Sequence, residues 1–108
     1  LNEIAQQAKV GIRLVESAIP IHEEVRGACE MLGLDPFYVA NEGKCLVIVA
    51  PEVAEIVLNT MRKDALGKEA AIIGEVCAEM PGKVTLRSRI GGMRIVEMLS
   101  GEQLPRIC

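Results

Sequence analysis

Met80-Pro81-Gly82-Lys83-Val84-Thr85-Leu86-Arg87-Ser88-Arg89-Ile90-Gly91-Gly92 is the stretch on which the fold class turns. A Pro-Gly turn leads into strict alternation. Val84, Leu86, Ser88 and Ile90 face one way, and Lys83, Thr85, Arg87 and Arg89 face the other. A period of two marks a strand with one buried and one wet face. Upstream, Ala70 to Ala78 is a mostly apolar run that reads as another buried strand, which makes Met80–Lys83 a hairpin turn between the two. Downstream, Gly91-Gly92 turns the chain once more, into Met93 to Met98.

Further outward the period changes. Val53, Ile56, Val57 and Met61 form the stripe of a helix, begun by Pro51 and favoured by Glu52 and Glu55 at its positive end. Before it, Cys45-Leu46-Val47-Ile48-Val49-Ala50 is apolar on both faces and reads as a central strand. Val25, Ala28, Cys29 and Leu32 fall at i, i+3, i+4 and i+7, with Gly33 placed to end that helix and Asp35-Pro36 to turn the chain. Val10, Ile12 and Leu14 alternate as a half-buried strand, broken at Ser17-Ala18-Ile19-Pro20. Leu1, Ile4, Ala5 and Ala8 keep helical spacing. The order is helix, strand, helix, strand, helix, strand, strand, strand. It predicts an α+β fold, close to α/β, with a mixed sheet covered by helices on at least one face. Residues 1–100 read as one domain and residues 101–108 as a flexible tail. A first residue that is not Met, opening an uncapped helix, reads as the start of a piece of a longer protein.

Composition narrows the function classes. The chain has 108 residues, 50% apolar and 25% charged, with a net charge of -3. That apolar content at low net charge argues against disorder. The longest apolar run, Cys45 to Ala50, is far short of the roughly 18 residues of a membrane-spanning helix. An acidic chain (pI about 5.2) with one Phe, one Tyr and no Trp is poorly suited to nucleic acid. No basic-then-apolar signal segment opens the chain, and a reducing cytoplasm is the expected compartment.

The four cysteines stand at 29, 45, 77 and 108 with no Cys-x-x-Cys pair, and His22 stands alone, so no metal site is expected. Cys29, Cys45 and Cys77 lie in apolar helix or strand segments, where a thiol packs as a small hydrophobe. Cys108 ends a tail, Gly101-Glu102-Gln103-Leu104-Pro105-Arg106-Ile107-Cys108, with little to pack against, and its main property is reactivity. In Asn41-Glu42-Gly43-Lys44, a polar turn at the mouth of an apolar run, Glu42 has the chemistry of a general base with Lys44 as a nearby cation; ordinary loop chemistry also accounts for it. Arg87, Arg89 and Arg94 are candidates for an anion-binding face, although hairpin alternation already explains the first two. No phosphate-binding loop motif occurs.

Four segments together resemble the C-terminal domain of the HypE family, the carbamoyl dehydratases of nickel–iron hydrogenase maturation. They are Glu24-Val25-Arg26-Gly27-Ala28-Cys29-Glu30, Gly33 through Lys44, Ala71-Ile72-Ile73-Gly74-Glu75-Val76, and the stretch from Gly91-Gly92-Met93-Arg94-Ile95-Val96 to Pro105-Arg106-Ile107-Cys108. The terminal Pro-Arg-Ile-Cys is the most specific, because aminoimidazole ribonucleotide and selenophosphate synthetases resemble the chain in domain plan only. The resemblance implies that the Cys108 thiol accepts a carbamoyl group from a partner carbamoyltransferase. It implies that the full-length enzyme dehydrates this group with ATP and Mg to a thiocyanate, and that the cyano group passes to iron on an iron-cyanide assembly complex. It also implies Glu42 as the base or a positioning group, and a homodimer formed through an ATP-binding N-terminal domain that this chain lacks. The fragment alone is then expected to be inactive and to hold no cofactor. The alternatives are a non-catalytic interaction module and a synthetase of the purine or selenophosphate type.

Overall fold

The strand Gly11–Val15 (β1) is an inner strand of the sheet in the computed structural model, which describes residues 1–98. Its alternation holds: Ile12 and Leu14 are buried, at 4% and 8% exposure. The helix Asn2–Ala8 (α1) precedes it and ends at Lys9, whose Cα has left-handed φ. After β1 a single tight helical turn, Glu16–Ala18, breaks the strand where Ser17–Pro20 predicts a break.

The described chain divides into two units, one of Leu1–Pro20 with Pro51–Met98 and another containing Ile21–Ala50. The first holds the sheet. Its remaining elements are the helix Ala54–Lys63 (here α3, since α2 lies in the other unit) and the strands Gly74–Cys77 (β2), Val84–Arg87 (β3) and Met93–Ile95 (β4). The strand order is β2-β1-β3-β4. β1 pairs antiparallel with β2 and parallel with β3, and β3 pairs antiparallel with β4, so the sheet is mixed as expected. The register sets Ile12 beside Val84 and Leu14 beside Leu86. These four side chains share one face and, with fully buried Ala5 of α1, make the core of this unit.

Several expectations change at this level. The turn at Met80–Lys83 exists, with positive φ at Met80 and Gly82 and Lys83 N–H donating to the Met80 carbonyl at 3.1 Å. Yet the strands it joins are not hairpin partners, because β1 lies between them. The turn carries the chain across the end of β1, where Gly82 N–H donates to the Val10 carbonyl and Ile12 N–H to that of Lys83. β3 is therefore an inner strand, and Thr85, expected on the wet face, is buried with its Oγ1 3.5 Å from the Ile12 carbonyl. β2 is an edge strand with Glu75 exposed and Val76 44% exposed, not a fully buried one. The turn between β3 and β4 forms where Gly91-Gly92 predicts it, closed by Ser88 N–H to the Gly92 carbonyl at 2.7 Å. Ile90, expected inward, sits at its tip and is 97% exposed.

Helix α3 begins after one tight turn at Pro51–Val53, and carries Glu55 in its first turn and Arg62 and Lys63 in its last, as the helix dipole favours. Its covered side runs through Ala54, Val57, Leu58 and Met61, while Val53 and Ile56 are exposed; the helix is turned about one residue from the stripe read in the sequence.

In the other unit the helix Glu23–Leu32 (α2) starts at His22 and stops at Gly33, whose φ of 67° is the left-handed cap that glycine adopts without strain. Cys29 is buried, whereas Leu32 is 72% exposed. Asp35 then accepts from Phe37 N–H at 3.0 Å and opens a tight turn, Pro36–Tyr38. Cys45–Ala50, expected as a central strand, forms no strand, and all six residues are exposed. A strand needs a neighbouring backbone to take its N–H and C=O groups. None among the described residues pairs with this run, whatever its apolar composition favours. Residues 101–108, read as a tail ending in Cys108, lie outside the described residues.

Candidate functional site

The turn Asn41–Lys44 carries the candidate base. It follows the Asp35-capped turn and precedes the apolar run at Cys45, and all four of its residues are exposed. Asn41 Nδ2 donates to the Val39 carbonyl at 3.1 Å, and Lys44 Nζ donates to Asn41 Oδ1 at 2.9 Å. Gly43 has φ of 73°, so the bend between Glu42 and Lys44 uses the one residue type that enters this region freely. Glu42 itself is exposed to solvent. Lys44, read as a cationic partner of Glu42, spends its hydrogen bond on Asn41.

Cys108, the candidate acceptor thiol, lies outside the described residues. The other cysteines divide differently from the sequence reading. Cys29 is buried as expected. Cys45, expected to pack within a strand, is exposed, because that strand does not form. Cys77 is half-buried in β2 with its thiol 3.6 Å from the Glu79 carbonyl. Partial desolvation, helped by the Glu79 side chain, raises the Cys77 thiol above its ordinary range and keeps it in the less reactive protonated form.

The three arginines do not form one face. Arg87 pairs in register with Met93 and Leu86 with Arg94, so Arg94 lies on the opposite face of the β3–β4 ladder from Arg87. The Arg89 backbone N–H donates to Glu16 Oε2 at 3.0 Å. His22 is the N-cap of α2, its carbonyl accepting from Arg26 N–H. No group of three or more His, Cys, Asp or Glu residues placed to hold a metal occurs among the described residues. No helix there is long and apolar enough to cross a membrane.

Two features escaped the sequence. One is the closure of the Glu42 turn through Asn41; an Asn two residues before a Gly is the signal that would have shown it. The other is an ion-pair group on the sheet, in which Arg13 reaches Glu75 at 2.8 Å and Glu79 at 3.3 Å. Residues 62 and 66 positions apart meet there only through the strand register.

Comparison with known proteins gives this geometry its context. The chain is 57% identical over all 108 residues to the carbamoyl dehydratase HypE of Azotobacter vinelandii, and spans 32% of that protein. It matches a solved structure of the hydrogenase maturation protein HypE in complex with ATP at a TM-score of 0.89 and 45% identity, over 100% of this chain and 33% of that one. It matches a chain in the crystal structure of a HypE–HypF complex at a TM-score of 0.83 and 41% identity, over 90% of this chain and 31% of that one. The chain thus spans about a third of the relatives it matches, as a C-terminal HypE fragment does. Residues 1–87 match the family model described as AIR synthase related protein, C-terminal domain. With its mixed sheet and helix order in agreement, the chain belongs to the family of AIR synthase related C-terminal domains, on its hydrogenase maturation branch.

Proposed function

We propose that this chain is the C-terminal domain of an ATP-dependent carbamoyl dehydratase that carries its own substrate on Cys108 and presents Glu42 to it. The observation that carries the reading is similarity to HypE over the whole 108 residues, through the terminal cysteine, at 57% identity. The chemistry is within reach of the residues. A thiolate at Cys108 attacks the carbonyl carbon of an activated carbamoyl group, and the bond to the donor breaks, leaving an S-carboxamide. An amide oxygen is a poor leaving group. Transfer of the γ-phosphoryl group of ATP to that oxygen makes it a good one. Loss of two N–H protons and of phosphate then leaves S–C≡N. Glu42 is the group proposed to take a proton from nitrogen, a role that needs an ionised carboxylate with unengaged oxygens.

ATP is a consumed substrate here, and its site is assigned to the part of the full-length protein beyond this chain; a HypE relative was solved with ATP. The carbamoyl donor is assigned to a carbamoyltransferase partner, in keeping with the solved HypE–HypF complex. An iron-cyanide assembly complex is the proposed acceptor of the cyano group. The tail suits a carrier, since eight residues from Gly101 to Cys108 span at most about 26–29 Å extended.

Mass spectrometry of the full-length protein tests the reading. Incubated with the carbamoyltransferase, carbamoyl phosphate and ATP, Cys108 should gain one carbamoyl group and then lose one water. A protein that gains no mass on Cys108 overturns the carrier role. Full activity after Cys108→Ala would place the chain with the synthetases instead.

A further inference from the structure

The Asn41 side chain makes two hydrogen bonds, one anchoring it backward and one spanning Glu42. Asn41 Nδ2 donates backward to the Val39 carbonyl at 3.1 Å, and Asn41 Oδ1 accepts from Lys44 Nζ at 2.9 Å. The amide uses its donor end on an acceptor and its acceptor end on a cation, so its orientation is set, and rotating it by half a turn would lose both bonds. Glu42 lies within the span of the Asn41–Lys44 contact, next to the left-handed bend at Gly43. The turn is exposed throughout, so no surrounding core holds it. An exposed segment joined only through its backbone samples many directions, and a base acts only from hydrogen-bond reach of its proton. A misplacement of about 1 Å costs on the order of a hundredfold in rate.

We propose that Asn41 is a positioning residue for Glu42, and that Lys44 acts through it as the second half of the clamp. The proposal rests on the reading of Glu42 as proton acceptor. Asn41 and Lys44 close the turn before substrate arrives, so the ordering of the Glu42 backbone is complete in the folded protein and is not charged to the reaction. The two side chains act as one device, because a single contact joins them.

The test uses full-length protein already carbamoylated on its terminal thiol, and reads the single-turnover rate of water loss, the KM for ATP and the extent of carbamoyl loading. Asn41→Ala should slow water loss about tenfold to a hundredfold, with loading and the KM for ATP unchanged. Lys44→Met should also slow it, and the double variant should be no slower than Asn41→Ala alone, since that change already removes the contact to Lys44. Lys44→Arg, which retains a cationic donor for Asn41, should recover most of the rate. An Asn41→Ala protein that dehydrates at the wild-type rate while Glu42→Gln is inactive overturns the clamp and leaves Glu42 as base. A Glu42→Gln protein that dehydrates normally overturns the reading of Glu42, and the clamp with it. Parallel losses in rate, loading and melting temperature for Asn41→Ala, or failure of Lys44→Arg to recover the rate, also overturn the proposal.

Discussion

Arg13 on β1 and Glu75 on β2 are directly opposed in the antiparallel ladder, and their side chains meet at 2.8 Å. The same guanidinium reaches Glu79 at 3.3 Å, so one cation joins the edge strand to the turn that follows it. At 37% and 64% exposure the Arg13–Glu75 pair is a surface interaction. Arg13→Met is therefore expected to cost no more than about 1 kcal/mol in urea unfolding, and less in high salt.

Glu79 makes that group pH-dependent. The Cys77 thiol and its own backbone N–H, with Arg13 nearby, hold the Glu79 carboxyl below its ordinary range. A carboxyl lowered in the folded state adds stability above its unfolded value, and that stability is lost as pH falls through the folded value. The melting temperature of Glu79→Gln should lie below wild type at neutral pH, and the two should converge in acid, below the ordinary glutamate value of about 4.3.

Leu86 is fully buried and lies beside Leu14 on the core face. Leu86→Ala removes packed methyl groups from a small core, and a loss of about 2–5 kcal/mol in denaturant unfolding is expected. For a domain of this size, that is a large part of its stability.

At Gly74 the constraint is space. A Cβ there would run into the Arg13 carbonyl of the neighbouring strand. Gly74→Ala should separate β2 from β1, lowering stability by about 1–3 kcal/mol and speeding amide exchange across the Arg13–Glu75 region.

The thiols offer a direct chemical reading. Among the described residues, exposed Cys45 should react with a maleimide on the order of tenfold faster than buried Cys29, whose labelling awaits local opening. Cys77, raised by partial desolvation, should fall between them.

Catalysis in the full-length protein supplies the last expectation. On the proposed function, Glu42→Gln keeps the size of the side chain but removes the proposed base, and should slow dehydration by about 10²–10⁴-fold, with the proposed carbamoyl loading of Cys108 intact.

Element identity was legible wherever it depends on local chemistry. Period two at Ile12 and Leu14, the glycine cap at Gly33, and the turns at Asp35-Pro36 and Gly91-Gly92 all formed where their residues predict. Glu42 could be singled out as a candidate from its motif. The Asn41–Lys44 hydrogen bond that spans it could not, because a side-chain hydrogen bond depends on how the turn closes.

What the sequence determined by itself is therefore the kind and order of the elements apart from the strand expected at Cys45–Ala50, the mixed sheet, and membership in a family marked by its motifs and terminal cysteine. Those properties reside in short-range spacing and residue chemistry. Only the tertiary structure decided which strands are neighbours. β1 came between β2 and β3, Thr85 was buried, Arg94 parted from Arg87, and the apolar run Cys45–Ala50 was left exposed without a strand. A residue's period says that it has two faces; which backbone lies beside it depends on pairings between residues tens of positions apart, and local sequence carries no register for those.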